Sequence, residues 1–432
     1  MLEKRRRFSL SIGMLVMLVL LMLWTLAPMT GSAAENKIIH YVYSGHGAAW
    51  VTYLETMAQK FKEQSGITVE FVVSTHSSTY TSQLLTMIAG GVPPDVTDIH
   101  PMMGAPLVYM GIFEDLNPYV AASNFPLSEM PPNAVDGFRT PDGMLWGVLW
   151  DIYPVITFFN ADAFADAGIA NPVELGEGWT WEAARQAARR LTVDANNDGT
   201  PEKYGLENPV ARWEMQVHQA GGKLYDRIIY PTESRFNTPE VRIALEHLQG
   251  FYIDKTVVPS GYWWGNPGAG FSFIYGPGII GSYLQNVSFN YDVALQPKGP
   301  VNRAPRVNPD GLQMIRESKN KELAWKWLMF LTGSVENQEA LISITGRFPS
   351  LRRAMSSYPR LGPTKLAPNW RVIIEVSFDP DSYPAYVVPY ANEIDPVVNP
   401  IIASIWRLQI SPQMALEQIH EQVSAILAEK LR

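Results

Sequence analysis

A β-α-β opening constrains this chain's fold more than any other feature. Residues 38–43 alternate and are rich in β-formers, so they read as a strand, followed by a turn of Ser44, Gly45, His46 and Gly47. Trp50, Leu54, Met57 and Phe61 then fall on one helical stripe, which Gly66 stops. Residues 67–73 make a second strand, and two strands joined through a helix imply a parallel sheet. Leu84, Leu85 and Ile88 mark another helix, ended by Gly90-Gly91. Pro93-Pro94-Asp95 then turns the chain into a short buried strand at 96–99.

The same alternation continues. Thr180 can cap a helix carrying Ala184, Ala188 and Leu191 on one face, and Thr238-Pro239 opens another over 241–248. Ala324, Trp327, Leu328 and Leu331 repeat at helical spacing. Ser411-Pro412 opens the last helix, with Leu416, Ile419, Val423 and Ile426 facing inward. The pattern predicts an α/β protein of two lobes. Pro-rich stretches at 131–132 and 363–400 read as surface loops or crossovers.

The N-terminus has the layout of a secretory signal. Lys4, Arg5, Arg6 and Arg7 precede an apolar run at 8–27, and Gly31, Ser32, Ala33 and Ala34 offer a cleavage site after Ala34. The same run is nearly long enough to stay in a bilayer as an anchor, and Arg5-Arg6-Arg7-Phe8 also suits a twin-arginine route. The expectation is an exported protein, periplasmic or cell-surface, released or held by an uncleaved segment. Without a cysteine the chain can form no disulfide, and it has neither a thiol nucleophile nor a site for a lipid-modified cysteine. With 34 basic against 42 acidic side chains it lacks the electrostatic footprint of a nucleic-acid binder. Aromatic residues make up 11%, with 13 Trp and 19 Tyr, and that surplus points to a ligand with faces to stack on.

Four ordered segments carry a resemblance. The first is Gly90-Gly91-Val92-Pro93-Pro94-Asp95-Val96, then Gly111-Ile112-Phe113-Glu114-Asp115-Leu116-Asn117-Pro118-Tyr119. The second is Trp146-Gly147-Val148-Leu149-Trp150, then Phe158-Phe159-Asn160-Ala161-Asp162-Ala163-Phe164 and Ala167-Gly168, leading into Trp179-Thr180-Trp181-Glu182. The third is Gln219-Ala220-Gly221-Gly222-Lys223-Leu224. The fourth is Ser318-Lys319-Asn320-Lys321-Glu322, with Ala324-Trp325-Lys326-Trp327-Leu328 and Phe330-Leu331-Thr332 following.

Together they resemble the family 1 extracellular solute-binding proteins of ABC sugar importers, the maltose-binding-protein-like group. The resemblance implies a two-lobed periplasmic-binding-protein-like fold in which each lobe is built from discontinuous sequence. One lobe would take 35–150 and 308–350, the other 155–305 and 351–432, with hinge crossovers at 151–154 and 306–307. It also implies a monomer without catalytic activity that closes on a sugar or oligosaccharide and delivers it to the transmembrane subunits of an ABC permease. Glycerol-phosphate-type ligands occur in the same family. They would need a basic cluster, for which Arg139, Arg212 and Arg347 are candidates.

Site residues follow from the chemistry. Aromatic rings stack on the C–H faces of sugars, and carboxylates, amides and hydroxyls bind their rims. Ligands in open α/β sheets sit beyond the carboxyl ends of strands. Ser44 and His46 follow the first strand, and Asp98 and His100 end a later one. Trp150, Asp151 and Tyr153 lie near a crossover, and Arg347 near the return. Trp213, Tyr262, Trp263 and Trp264 flank the apolar segments of the second lobe. No cofactor is expected beyond a structural calcium ion. Asp194, Asn196, Asp198 and Thr200 follow the first half of an EF-hand loop, though Gly205 occupies the usual glutamate position, and an Asx-rich turn without metal is the other reading. Gly276-Pro277-Gly278-Ile279-Ile280-Gly281 matches a dinucleotide fingerprint but carries Pro in the turn, and reads as a tight crossing. No G-x-S-x-G, Walker loop or H-E-x-x-H occurs. An exported carbohydrate-active enzyme and an adhesive surface protein are the competing classes.

Overall fold

The computed structural model describes residues 36–259 and 269–432. Residues 1–34, expected as a secretory signal, and the aromatic residues Tyr262, Trp263 and Trp264 lie outside these described residues. Local rules place the first elements where the sequence predicts them. Strand β1 (Lys37–Val42) leads into α1 (Ala48–Ser65), which ends because Gly66 takes the left-handed conformation and donates its N–H to the Lys62 carbonyl. Strand β2 (Thr68–Val73), helix α2 (Tyr80–Ala89), the fully buried β3 (Val96–Ile99) and α3 (Pro101–Tyr109) follow. Two strands then arrive in quick succession, β4 (Val148–Pro154) and β5 (Thr157–Asn160).

The second part carries α4 (Trp181–Leu191), whose Thr180 hydroxyl accepts from the Ala183 N–H. It continues with β6 (Tyr204–Leu206), α5 (Glu214–Gln219), α6 (Pro239–Ile253), β7 (Ala269–Ser272) and β8 (Tyr291–Ala294). Strand β9 (Val307–Met314) precedes α7 (Lys321–Thr332) and α8 (Val335–Thr345). Helices α9 (Ala391–Trp406) and α10 (Pro412–Lys430) close the chain.

The strands form two sheets, in the orders β2-β1-β3-β9-β4 and β6-β7-β5-β8. A wholly parallel sheet, as the opening β-α-β unit implies, is not what forms. Strands β1 and β3 are parallel, but β9 inserts antiparallel between β3 and β4, and β5 pairs antiparallel with both its neighbours. Strand β9 comes from far along the chain, so the opening residues carry no information about its direction. The Pro-rich region also differs from expectation. Residues 391–406 are helical with Pro396 and Pro400 inside, because Ile394, Val398, Ile402 and Ile405 bury a stripe against α6 and α10 that outweighs the lost N–H donors.

The first sheet is covered by α1 and α7 through Trp50, Leu54, Phe61, Trp327 and Leu331, and α8 packs on both helices. The second sheet packs Phe159 and Phe271 against Ala184, Ala188 and Leu191 of α4. The two sheets meet where β4 becomes β5, with only Val155 and Ile156 between them. The segments expected as crossovers lie in one ladder there: Asp151 opposes Asp310, Ile152 opposes Pro309, Tyr153 opposes Asn308 and Pro154 opposes Val307. Gly276, in the glycine-rich stretch, packs its backbone against the Tyr153 ring and the Pro154 carbonyl with no room for a Cβ. That close approach is the tight crossing its sequence suggests.

The β4–β9 seam is sealed by one ring. Gly147 and Gly311 both face Phe138, which is fully buried, and a Cβ on Gly311 would be driven into that ring. Gly311→Ala is therefore expected to cost about 1–3 kcal/mol by overpacking. An unchanged midpoint in urea unfolding would show that the seam is not packed as described.

Candidate functional site

The site is built from strand ends and one bulge. The end of β1 and the turn after it present Tyr43 and His46, and the end of β3 presents His100. Asp98 lies behind them and is completely buried. Its carboxylate accepts from the Tyr43 N–H at 2.6 Å and from the Trp50 indole, with the His40 imidazole 3.6 Å away. Asp98 thus ties the first turn to α1 and does not line the cleft. Ser44 is also used internally, its hydroxyl paired with Ser74 at 2.9 Å. The His46 Nε2–H points to the Asp98 carbonyl at 3.2 Å, which leaves Nδ1 facing the Asp310 carboxylate at 3.7 Å. His100 caps α3 by accepting the Met103 N–H, and burial lowers its pKa, opposed by nearby Asp310.

Strand β4 carries an extra residue at Trp150, between the pairs Leu149–Gly311 and Asp151–Asp310. The bulge sends the Trp150 ring into the core, stacked on Trp50 at 3.7 Å and edge-on to His46. It also sets Asp151 directly across from Asp310. Arg347, delivered by the left-handed Gly346 that ends α8, bridges the two carboxylates, 2.8 Å from Asp151 and 3.3 Å from Asp310. Its other nitrogen donates to the His46 carbonyl at 3.2 Å, and the guanidinium lies over the Trp150 ring at 4.9 Å. Burial pushes the Asp151 pKa up to about 7, Asp310 adds to the rise, and Arg347 opposes it.

The opposite wall is built around α5 and the segment leading into β9. Arg212 and Trp213 precede α5, and Arg306 stands just before β9. Arg306 forms an ion pair with Glu214, donates to Asn308 at 2.6 Å and reaches the Met102 sulfur of α3 at 3.4 Å. Tyr386 accepts from the Leu224 N–H at 2.9 Å and contacts His218 at 2.8 Å, which orients its ring.

Two cavities lie between these walls. One of about 400 Å³ is lined by Tyr43, His46, His100, Tyr153, Asp310 and Arg347, among others. A larger one of about 700 Å³ is lined by Trp213, Glu214, Tyr225, Phe236, Tyr386 and Asp395, among others. They share His100, Met102, Arg212 and Arg306, so they are two parts of one cleft. Another cavity of about 400 Å³ lies on an outer face beside Phe61, Phe125 and Phe330, and is chiefly apolar.

Of the residues singled out in the sequence, His46, His100, Tyr153 and Arg347 line the smaller cavity and Trp213 the larger. Asp151 and Trp150 stand behind Arg347 and hold it, while Asp98 and Ser44 brace the turn. Among the three arginines considered for a basic cluster, Arg212 and Arg347 converge, whereas Arg139 bonds to Asn117 and the Gly143 carbonyl elsewhere. Asp310, Arg306, Tyr43 and Tyr386 escape sequence reasoning. Asp310 sits between Pro309 and Gly311 and reads as a turn, and Arg306 has no local pattern at all.

The loop considered for calcium is held by its own Asx bonds. Asp194 accepts from the Gly199 N–H at 2.9 Å, Asn196 from Asp198 at 2.8 Å, and Asp198 from Thr200 at 2.8 Å. Among the described residues no group of three or more His, Asp or Glu side chains is placed to hold a metal ion.

Comparison with known proteins gives a consistent set. The family model described as bacterial extracellular solute-binding protein matches residues 56–357. An arabinooligosaccharide-binding protein of Bacillus subtilis is 22% identical over 367 residues, covering 77% of this chain and 79% of that one. An ABC substrate-binding protein from Listeria monocytogenes, solved in complex with cycloalternan, superposes with a TM-score of 0.74 at 23% identity, over 91% of this chain and 99% of that one. The cyclic alpha-maltosyl-1,6-maltose binding protein from Arthrobacter globiformis does so with a TM-score of 0.74 at 16% identity, over 91% and 99%. Both superpositions establish the same two-lobed fold.

The Asp151–Arg347–Asp310 group has a pH signature. A carboxyl whose folded pKa lies above its unfolded 3.8 binds its proton more tightly when folded. Its stabilising contribution is therefore complete below that value and is lost as pH rises to about 7. Asp151→Asn removes the titration, so the variant's melting temperature relative to the parent should rise steadily between pH 4 and pH 7. A difference that stays flat or falls over that range contradicts the assignment.

Proposed function

The chain belongs to the bacterial extracellular solute-binding proteins, and from that membership we propose that it is the receptor of an ABC importer, which captures a sugar or oligosaccharide between its lobes and passes it to a separate membrane permease. The observation that carries this reading is the continuous cleft. Its two parts, about 400 and 700 Å³, fall within the ~300–1,000 Å³ typical of small-molecule sites. Its walls combine aromatic faces (Tyr43, Tyr153, Trp213, Tyr386) with oriented polar groups (Arg347, Asp310, Asn308, Arg306). Rings suit the C–H faces of a pyranose, and paired charges present donors and acceptors to its hydroxyls.

The names of the relatives lend support, since they speak of an arabinooligosaccharide, cycloalternan and cyclic alpha-maltosyl-1,6-maltose. A solute that touches both walls favours the closed arrangement by its differential contacts, with the β4–β9 crossing as the flexing element. The reading contains no bond-breaking step, so the solute leaves unchanged. The receptor works outside the cytoplasm after export by residues 1–34, and no helix among the described residues is long and apolar enough to cross a membrane.

A thermal-shift panel of neutral and acidic mono-, di- and oligosaccharides tests this. A ligand at 100 times its Kd should stabilise the fold by about 2.7 kcal/mol, with the sugar recovered intact. Folded protein that responds to no sugar on the panel, or a sugar that is cleaved, would rule the proposal out.

A further inference from the structure

Three arginines line the cleft, and two are neutralised within the fold. Arg347 is held by Asp151 and Asp310, and Arg306 by Glu214. Arg212 has no such partner. No carboxylate among the described residues lies within ion-pair distance of its guanidinium, and its one hydrogen bond runs from Nη1 to the carbonyl of its chain neighbour Ala211, at 3.0 Å. Its Nε is buried and donates to nothing. Burial and the neighbouring charge of Arg306 both disfavour its ionised form, and Glu214, already committed to Arg306, opposes them only in part. A guanidinium does not escape such a position by losing its proton. Its Nε has given up water without gaining a partner, and the side chain stands at the junction of the two cavities.

We infer that the solute is an acidic sugar, whose carboxylate or phosphate group is neutralised by Arg212 in the middle of the cleft. The inference rests on the sugar-receptor reading and narrows its ligand class. A neutral sugar could fill the same space and use the polar groups around Arg347, but it would leave the charge on Arg212 unmatched. An anionic group supplies the missing charge and converts idle donors into charge-assisted hydrogen bonds. Discrimination then comes from a single residue, while the rest of the cleft serves the hydroxyls and ring faces that acidic and neutral sugars share.

The test uses matched pairs titrated calorimetrically into the purified protein: a uronate-containing oligosaccharide against its neutral counterpart, and a sugar phosphate against the free sugar. The acidic member of one pair should bind about 10- to 100-fold more tightly, and the advantage should shrink as salt is raised. Which pair shows it tells carboxylate from phosphate. Arg212→Gln should erase the advantage, so that acidic and neutral members bind with equal affinity, Arg212→Lys should keep part of it, and Arg139→Gln, outside the cleft, should change neither affinity. The melting curve of each variant shows that it is folded. Neutral members binding as tightly as acidic ones would overturn the inference, as would an Arg212→Gln variant that weakens both alike. If no member of either pair binds to folded protein, the sugar-receptor reading itself falls, and this inference with it.

Discussion

One guanidinium holding two carboxylates is the interaction on which the cleft depends. Arg347 reaches Asp151 and Asp310 only because a bulge at Trp150 brings those residues opposite each other in the β4–β9 ladder. A regular ladder would shift every later residue of β4 by one place and turn Asp151 to the other face. The bulged tryptophan then serves as the platform for the arginine, and its stacking on Trp50 anchors the group to α1. The His46 carbonyl accepts from the same guanidinium, so the turn after β1 is positioned by a residue 301 positions away in the chain.

The arrangement has an electrostatic cost that shows in Asp151. Two carboxylates share one cation, and the more deeply buried one is pushed toward neutrality. Neighbouring groups avoid the problem by pairing off: Arg306 with Glu214, and Asp98 with an indole and a backbone amide. Polar groups held in place before a ligand arrives need not be ordered on binding, which lowers the entropic cost of capture. Arg306 has a further role in this geometry. It pairs with Glu214 on α5 but touches the Met102 sulfur on α3, so it joins both sides of the cleft where the two cavities meet.

Much of the local structure was legible in the sequence. The strand–helix–strand opening, the Gly66 stop, the Thr180 and Ser411 caps and the buried strand at 96–99 depend on interactions within a few residues, and each forms where the pattern places it. Reading failed where tertiary packing overrode a local rule. Pro396 and Pro400 should break a helix, yet α9 forms because its apolar stripe is buried on α6 and α10. Strand β9 contains Pro309, Asp310 and Gly311, residue types that favour turns, and is a strand because β3 and β4 flank it on both sides.

The sequence by itself determined the α/β class, the positions of the capped helices and strong strands, the exclusion of disulfides, and a pool of polar and aromatic residues at strand ends. Periodicity, backbone preference and charge count settle these matters over short distances. Only the tertiary structure decided which members of that pool face the cleft. Asp98 and Asp310 are both aspartates on central strands of one sheet, yet one is sealed under Trp50 and Tyr43 and the other lines a cavity. The difference lies in ladder register, in one extra residue at Trp150 and in the meeting of residues 46, 151, 310 and 347, which no local pattern encodes because their contacts form only when distant segments pair.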